Sequence, residues 1–419
     1  MLQYDMEDLS GLIVERFFRY AGICTTSSRH NKETPSSAGQ WELAQLLADE
    51  LKALGLLDVE LTGYCYVLAK LPASPGCKDK AAIGFMAHLD TAEDVCPADS
   101  ESCRNVKPVM EKDKEGDAII RSDGTTLLGA DDKAGVAEIM GAVEYLLAHP
   151  EIKHGSVMII FTPDEETGKG LPFFPLEQIV AMLSSGSNDT RSLAACYTLD
   201  GGPMGELEIE CFNAIEAKIY FTGKVIHLGT ARGGLANACL MAAVFAAMLP
   251  RSESPEATDG YYGYFCPTQI SGSLGNAELE VYIRDFNLDK ARERAAALEV
   301  FARAVEAQFP GGRVRVECKD QYYNMKEKIN KCPEVLLKLE EAARLAGVQF
   351  TLKPIRGGTD GSRLTEMGIP TPNIFTGGRN FHSVNEWVSV PEMEAACRLI
   401  IKLVQVWACT PPVQSTTPP

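Results

Sequence analysis

The sequence predicts an α/β protein with a second, ferredoxin-like α+β module inserted into it. Three observations carry that reading. Val157-Met158-Ile159-Ile160-Phe161 and Ala82-Ile83-Gly84-Phe85-Met86-Ala87 are apolar at successive positions, as strands covered on both faces must be. Such strands alternate with helix-period segments, which is the order of an α/β sheet. From residue 206 the pattern becomes an alternation of apolar and polar residues, typical of antiparallel strands with one wet face.

In chain order, Thr34-Pro35-Ser36-Ser37 reads as a turn with a capping serine. It leads into a helix over 38–54, with Leu43, Leu47, Leu51 and Leu54 on one stripe and Gly55 as the stop. A short strand pair is expected near 59–61 and 66–71, and a buried strand over 82–90. Residues 91–127 are polar and read as a loop with one hairpin. A helix then runs from about 131 to Pro150, with Val136, Ile139, Met140 and Val143 on its apolar stripe. The strand over 157–161 stops at Pro163, because proline cannot donate to a ladder. Tyr197-Thr198-Leu199-Asp200-Gly201-Gly202 is another strand ending in polar chemistry. A strand over 206–221, a helix over 236–249, a strand over 277–286, a helix over 290–309 and a strand over 314–318 give a β-α-β-β-α-β module. Helices over 334–345 and 393–407 close the first domain. The proline- and threonine-rich residues 410–419 are expected to be disordered.

Composition excludes several function classes. A length of 419 residues leaves room for two or three domains. A formal charge of −17 argues against a nucleic-acid partner, which would need a basic face. The acidic first residues do not read as a secretory signal. The longest apolar run, 238–249, is too short to span a bilayer, so no membrane partner is expected. The 13 cysteines are odd in number, scattered and without a C-x-x-C pair. That pattern fits reduced thiols in a cytoplasmic protein, not a disulfide framework or a cysteine zinc site.

The chemistry sits at strand ends. Asp164-Glu165-Glu166 places three carboxylates at the carboxyl end of a buried strand, the crevice where open α/β sheets bind ligands. Adjacent carboxylates repel, so a divalent cation is an economical partner. His88 and Asp90 are two residues apart and share a side of an extended chain. Asp131 lies in a glycine-bounded loop just before a helix, where it could cap the helix or bridge metals. Each residue alone has a plainer use, as an exposed turn, a structural histidine or a cap. Together His88, Asp131, Glu166, Asp200 and His382 all follow short apolar strands or loops. They offer nitrogen and carboxylate donors without cysteine, a set suited to two zinc ions about 3.5–4 Å apart if one carboxylate bridges.

At these residues the sequence resembles the peptidase T family, cytosolic tripeptide aminopeptidases of a di-zinc exopeptidase clan that also holds carboxypeptidase G and aminoacylase. The resemblance spans almost the whole chain. It rests on Ala87-His88-Leu89-Asp90-Thr91, Leu128-Gly129-Ala130-Asp131-Asp132-Lys133, Phe161-Thr162-Pro163-Asp164-Glu165-Glu166 and Leu199-Asp200-Gly201-Gly202. Further matches are Ile283-Arg284-Asp285-Phe286, Arg356-Gly357-Gly358-Thr359-Asp360-Gly361 and Phe375-Thr376-Gly377-Gly378. It implies release of the N-terminal residue from short peptides, with two zinc ions per chain. His88 and Asp200 would hold one ion, Glu166 and His382 the other, and Asp131 both. Asp90 would orient His88, and Glu165 would be the general base. His227 would steady the oxyanion from the inserted domain. Arg284 and Arg356 are the expected clamps for the substrate carboxylate, since a guanidinium fork suits that group.

The resemblance also implies a catalytic domain over 1–207 and 322–419, and an inserted lid or dimerisation domain over 208–321 that could support a homodimer. The alternatives within the clan are a dipeptidase and an N-acyl amino-acid deacylase. The alternative outside enzymes is a metal-binding scaffold without turnover. Three departures stand out. Leu228 follows His227 where proline is usual, Arg379 replaces an aromatic near His382, and the 91–128 segment is short. Arg379 bears on side-chain preference and the short segment on the rim of the cleft.

Overall fold

The computed structural model describes residues 9–96, 100, 103, 106–184 and 192–409; the tail expected to be disordered lies outside the described residues. The chain opens with α1 (Leu9–Ala21), α2 (Ala38–Ala53), β1 (Val59–Leu61), β2 (Val67–Leu71) and β3 (Ala82–His88). The hairpin β4 (Val109–Lys112) and β5 (Ala118–Arg121) precedes α3 (Ala130–Ala148). Then come β6 (Val157–Thr162), α4 (Leu176–Ser184), β7 (Leu193–Gly201) and β8 (Glu206–Cys211). The inserted part holds β9 (Asn213–Thr222), α5 (Ala238–Met248), β10 (Tyr264–Gly272), β11 (Asn276–Asp285), α6 (Leu288–Gln308) and β12 (Arg313–Tyr322). The chain ends with α7 (Lys326–Asn330), α8 (Pro333–Ala346), β13 (Thr351–Ile355), α9 (Asp360–Glu366), β14 (Asn373–Phe375), β15 (Gly378–Arg379), β16 (Trp387–Ser389) and α10 (Val390–Cys409).

Two compact units result. One takes the residues up to Ile209, Lys328–Lys353 and the chain from Thr359 on; the other takes Glu210–Glu327 and Pro354–Gly358. The first is built on an eight-stranded sheet in the order β1-β2-β6-β3-β7-β14-β8-β13. Its centre is parallel, with β3 beside both β6 and β7, and β7 beside β14. The flanking pairs β2–β6 and β14–β8 are antiparallel, so the sheet is mixed. Every residue of β3 and β6 is buried, as their unbroken apolar runs predict. On one face Met86, Ile160 and Cys196 pack against Ile179 and Leu183 of α4 and Leu364 of α9. Helix α3 packs against β3 and β7 and against α1 and α10.

The second unit has a four-stranded antiparallel sheet, β10-β11-β9-β12. Its buried face, with Ile215, Ala217, Ile219 and Phe221 from β9, packs on Phe245 of α5 and Leu298 and Val305 of α6. This is the ferredoxin-like order expected from the sequence.

The structure departs from the sequence reading in several places. The single strand expected over 206–221 is two strands in two sheets, β8 and β9. Alternation is equally good on either side of Phe212, so periodicity does not reveal where a chain changes sheets. Helix α1, carrying Leu9, Ile13, Phe17 and Tyr20 at helical spacing, has no counterpart in that reading. Cys24 and Cys103 form a disulfide, whereas only free thiols were expected. Their separation of 79 residues leaves no local signature in the sequence.

Candidate metal centre

The centre is assembled where β3, β6 and β7 end. His88 is the last residue of β3 and pairs with Thr162, the last of β6. Beyond β6, Asp164 takes a left-handed conformation (φ 55°) and the chain makes a 3-10 turn, Glu165–Thr167. The carboxylate of Asp164 is tied down by Ser36 and by Gln40 of α2 (Nε2, 2.8 Å). Ser36 therefore serves this turn, and Ser37, at the start of α2, makes no side-chain cap, contrary to expectation. Asp90 is fully buried and accepts from the backbone N–H groups of Glu165 (2.9 Å) and Glu166 (3.2 Å). Its link to His88 is mainly through its own carbonyl, 3.0 Å from Nδ1, with the carboxylate at 3.4 Å. Asp90 thus holds the turn that carries both glutamates as well as the imidazole.

Asp131 does not cap α3. Gly129, at φ 80°, occupies the cap position, and Asp131 has non-helical dihedrals inside the first turn. Its two oxygens go in different directions. Oδ1 lies 2.9 Å from His88 Nε2, and Oδ2 lies 3.3 Å from His382 Nε2. Asp200 Oδ1 is 3.6 Å from His88 Nε2, and Glu166 Oε1 is 3.0 Å from His382 Nε2. Ligand atoms of His88, Asp131 and Glu166, and of His88, Asp132 and Asp200, lie within 4.8 Å of one another.

The electrostatics are those of crowded carboxyls around two imidazoles. Burial opposes the His88 cation, but bonds to Asp131, Asp200 and Asp90 outweigh it and hold its pKa well above the usual range. Bonds to Asp131 and Glu166 push His382 up to about 11. Burial would raise Asp131, yet its bonds to His382 and His88 prevail and hold it low. Burial raises Glu166 to about 7 and Asp200 to about 6. Burial, then the charge of Asp200, lifts Glu165 well above the carboxylate range. Buried like charges of this kind are stable when a cation neutralises them. Two nitrogen donors with carboxylates on either side, and one carboxylate shared between the nitrogens, fit a pair of divalent ions.

Several supporting residues carry no motif in the sequence. Asp94 Oδ2 lies 3.0 Å from His382 Nδ1, the place of an orienting carboxylate for a metal-binding imidazole. Asn373 Oδ1 accepts from the backbone of Asp200 (3.1 Å), and Glu208 accepts from the Asn373 amide (2.6 Å). Glu386, four residues after His382, accepts from the loop before α3. The polar spacing around His88 and His382 was the only signal that could have found Asp94 and Glu386.

Three expected site residues belong to the second unit. His227 is exposed at the head of a short 3-10 turn, and its Nδ1 accepts from Gly229 N. Arg284 is 8% exposed. It donates to the carbonyls of Ile215 and Ile283 and to Gln321, and lies over the rings of Tyr282 and Tyr322. Arg356, expected in the catalytic domain, instead falls in the second unit. Its guanidinium donates to Gly260 and Tyr262 carbonyls (both 2.8 Å) and to both oxygens of Thr258, and stacks on Phe212 and Tyr264. Both guanidinium forks make these bonds within the second unit. Arg379 likewise donates to Glu392 (2.7 Å) and lies over Trp387.

Buried strands ending in a cluster of imidazoles and carboxylates, beside a partly buried glutamate, define a metal-dependent hydrolase. The chain matches the profile of peptidase family M20/M25/M40 over residues 84–406. It is 42% identical to the peptidase T of Geobacillus kaustophilus over 415 residues, covering 94% of this chain and 98% of that protein. A tripeptidase from Staphylococcus aureus superposes with a TM-score of 0.74 at 22% identity, over 96% of this chain and 99% of that one. A dinuclear metal-binding peptidase of the M20 family from Bacillus subtilis superposes with a TM-score of 0.63 at 14% identity, over 96% and 98%. The chain belongs to peptidase family M20/M25/M40 and is a peptidase.

Proposed function

We propose that the chain is a two-zinc aminopeptidase that releases the N-terminal residue of tripeptides. One observation carries the metal part of this reading: the two oxygens of Asp131 address two different imidazoles, as a bridging ligand must. The relatives described as peptidase T and tripeptidase support the substrate class, and the dinuclear relative supports two ions. In this reading His88 and Asp200 would hold one ion, Glu166 and His382 the other, and Asp131 would be shared. Zinc held there would supply Lewis acidity, lowering the pKa of water and polarising a carbonyl. The Glu165 carboxylate accepts the proton of the attacking water and delivers it to the leaving nitrogen. Asp90 fixes the Glu165 backbone, so the carboxylate swings from a held point. For His227 we keep the role of steadying the oxyanion.

Among the described residues no helix is long and apolar enough to cross a membrane. We further propose a cytoplasmic setting, supported by buried thiols such as Cys65, Cys196 and Cys397, and a homodimer formed through the second unit. Light scattering of the purified chain tests the dimer. The main test is a peptide panel with metal analysis. Free tripeptides should be cleaved from the amino end faster than dipeptides or N-acylated peptides, a chelator should abolish turnover, and active protein should carry close to two ions per chain. Full turnover without bound metal would end the reading.

A further inference from the structure

We infer that Glu386 is the positioning residue of the bridging carboxylate Asp131, and that metal affinity depends on it; this rests on the two-metal reading above. Glu386 is 1% exposed. Its Oε2 accepts from the backbone N–H of Leu128 (2.9 Å) and of Gly129 (2.8 Å), and its Oε1 accepts from the N–H of Asp131 (3.0 Å). A helix start leaves N–H groups without partners, and a carboxylate there is favoured. Here the acceptor does not come from the helix's own cap residue, because that residue is Gly129 and has no side chain to offer. It comes from 255 residues further along the chain. That frees the side chain of Asp131 to turn away from its own helix, towards His88 and His382.

The anchor is itself fixed. Glu386 donates its own N–H to Ser383 O, and the next residue, Trp387, is registered against Arg121 across β16 and β5. His382 lies in the same short segment, so one turn both supplies a ligand and places the bridge. A glutamine at 386 would keep the shape but present an NH₂ to at least one of three N–H donors. The orientation that keeps the most bonds leaves the amide oxygen on Leu128 and Gly129 and turns the NH₂ to the Asp131 N–H, so the Asp131 backbone is released. Partners of metal ligands that are removed in this way typically weaken binding 10- to 100-fold.

The test is zinc affinity, measured with a competing chelator on purified, metal-stripped protein, alongside the melting temperature of the metal-free form. Glu386→Gln should bind zinc about 10- to 100-fold more weakly than wild type. In an Asp131→Asn background the same change should shift affinity by less than about threefold, since residues acting through one contact are not additive. Glu386→Asp keeps the charge but withdraws it by one methylene; it should also weaken zinc binding, and it serves if the glutamine variant does not fold. If both variants match wild type in zinc affinity while the metal-free protein melts lower, Glu386 is a helix cap only. An undiminished effect in the Asp131→Asn background would equally overturn its action through Asp131. A wild-type chain that binds no zinc would instead refute the two-metal reading, an outcome separate from both.

Discussion

Asp131 shows how one side chain's function depends on what its neighbours relieve it of. As an N-cap it would be one of many aspartates at helix starts; with Glu386 taking the N–H groups, it can face two imidazoles. Glu165 and Glu166 are separated in role by the same kind of detail, since the 3-10 turn held by Asp90 sends one to His382 and leaves the other unbonded to it. Glu165→Gln should therefore keep its metal content and lose roughly 100- to 10,000-fold in turnover. Metal analysis beside steady-state kinetics checks this, and near-normal turnover would count against the assignment. His227→Ala should lower kcat by a larger factor than it raises KM, as expected for a group that acts in the transition state. Away from the centre, Glu138 is fully buried in α3, and among the described residues neither of its oxygens has a hydrogen-bond partner. Burial, with the charge of Asp132 adding, raises its pKa well above 4.5. The folded state therefore keeps a proton that the unfolded chain gives up above that pH, so wild-type stability falls as pH rises from there. Glu138→Met should gain about 1–3 kcal/mol at pH 8 and less at pH 5, read from urea unfolding at the two values.

At the scale of elements, the strands of the first unit deliver their last residues to one place because β3, β6 and β7 run parallel. The turn after β6 is secured from outside by Ser36 and Gln40, which is why the start of α2 contributes to a centre it does not line. In the second unit the segment Pro354–Gly358 is stapled through Arg356 to the loop at Thr258–Tyr262. Arg356→Met should destabilise that unit by about 1.5–3 kcal/mol, the usual scale for bonds made by a charged group. It should leave metal content unchanged. Differential scanning calorimetry with metal analysis checks both, and loss of metal without loss of stability would contradict the staple.

For the whole molecule, two units with separate cores predict separate unfolding transitions, with ligand binding stabilising the unit that holds the ligand. Each unit has its own sheet and core. Zinc at about 100 times its dissociation constant should add roughly 2.7 kcal/mol to the first unit. A chelator should then lower one melting transition and leave the transition of the second unit in place. Equal shifts of both would show that the units unfold together.

The sequence alone determined whatever depends on a local pattern. Doubly buried strands, the β-α-β-β-α-β module and the strand-end residues His88, Asp131, Glu166, Asp200 and His382 are all readable, because apolar periodicity and polar punctuation are properties of neighbours in the chain. Tertiary structure decided everything that depends on distant partners. It split 206–221 between two sheets, joined Cys24 to Cys103, and gave Arg284 and Arg356 partners within the second unit. It also brought Asp94 to His382 and Glu386 to Asp131. A hydrogen-bond acceptor is chosen by proximity in space, and a linear pattern carries no distance between residues 131 and 386; only the folded sheet sets it.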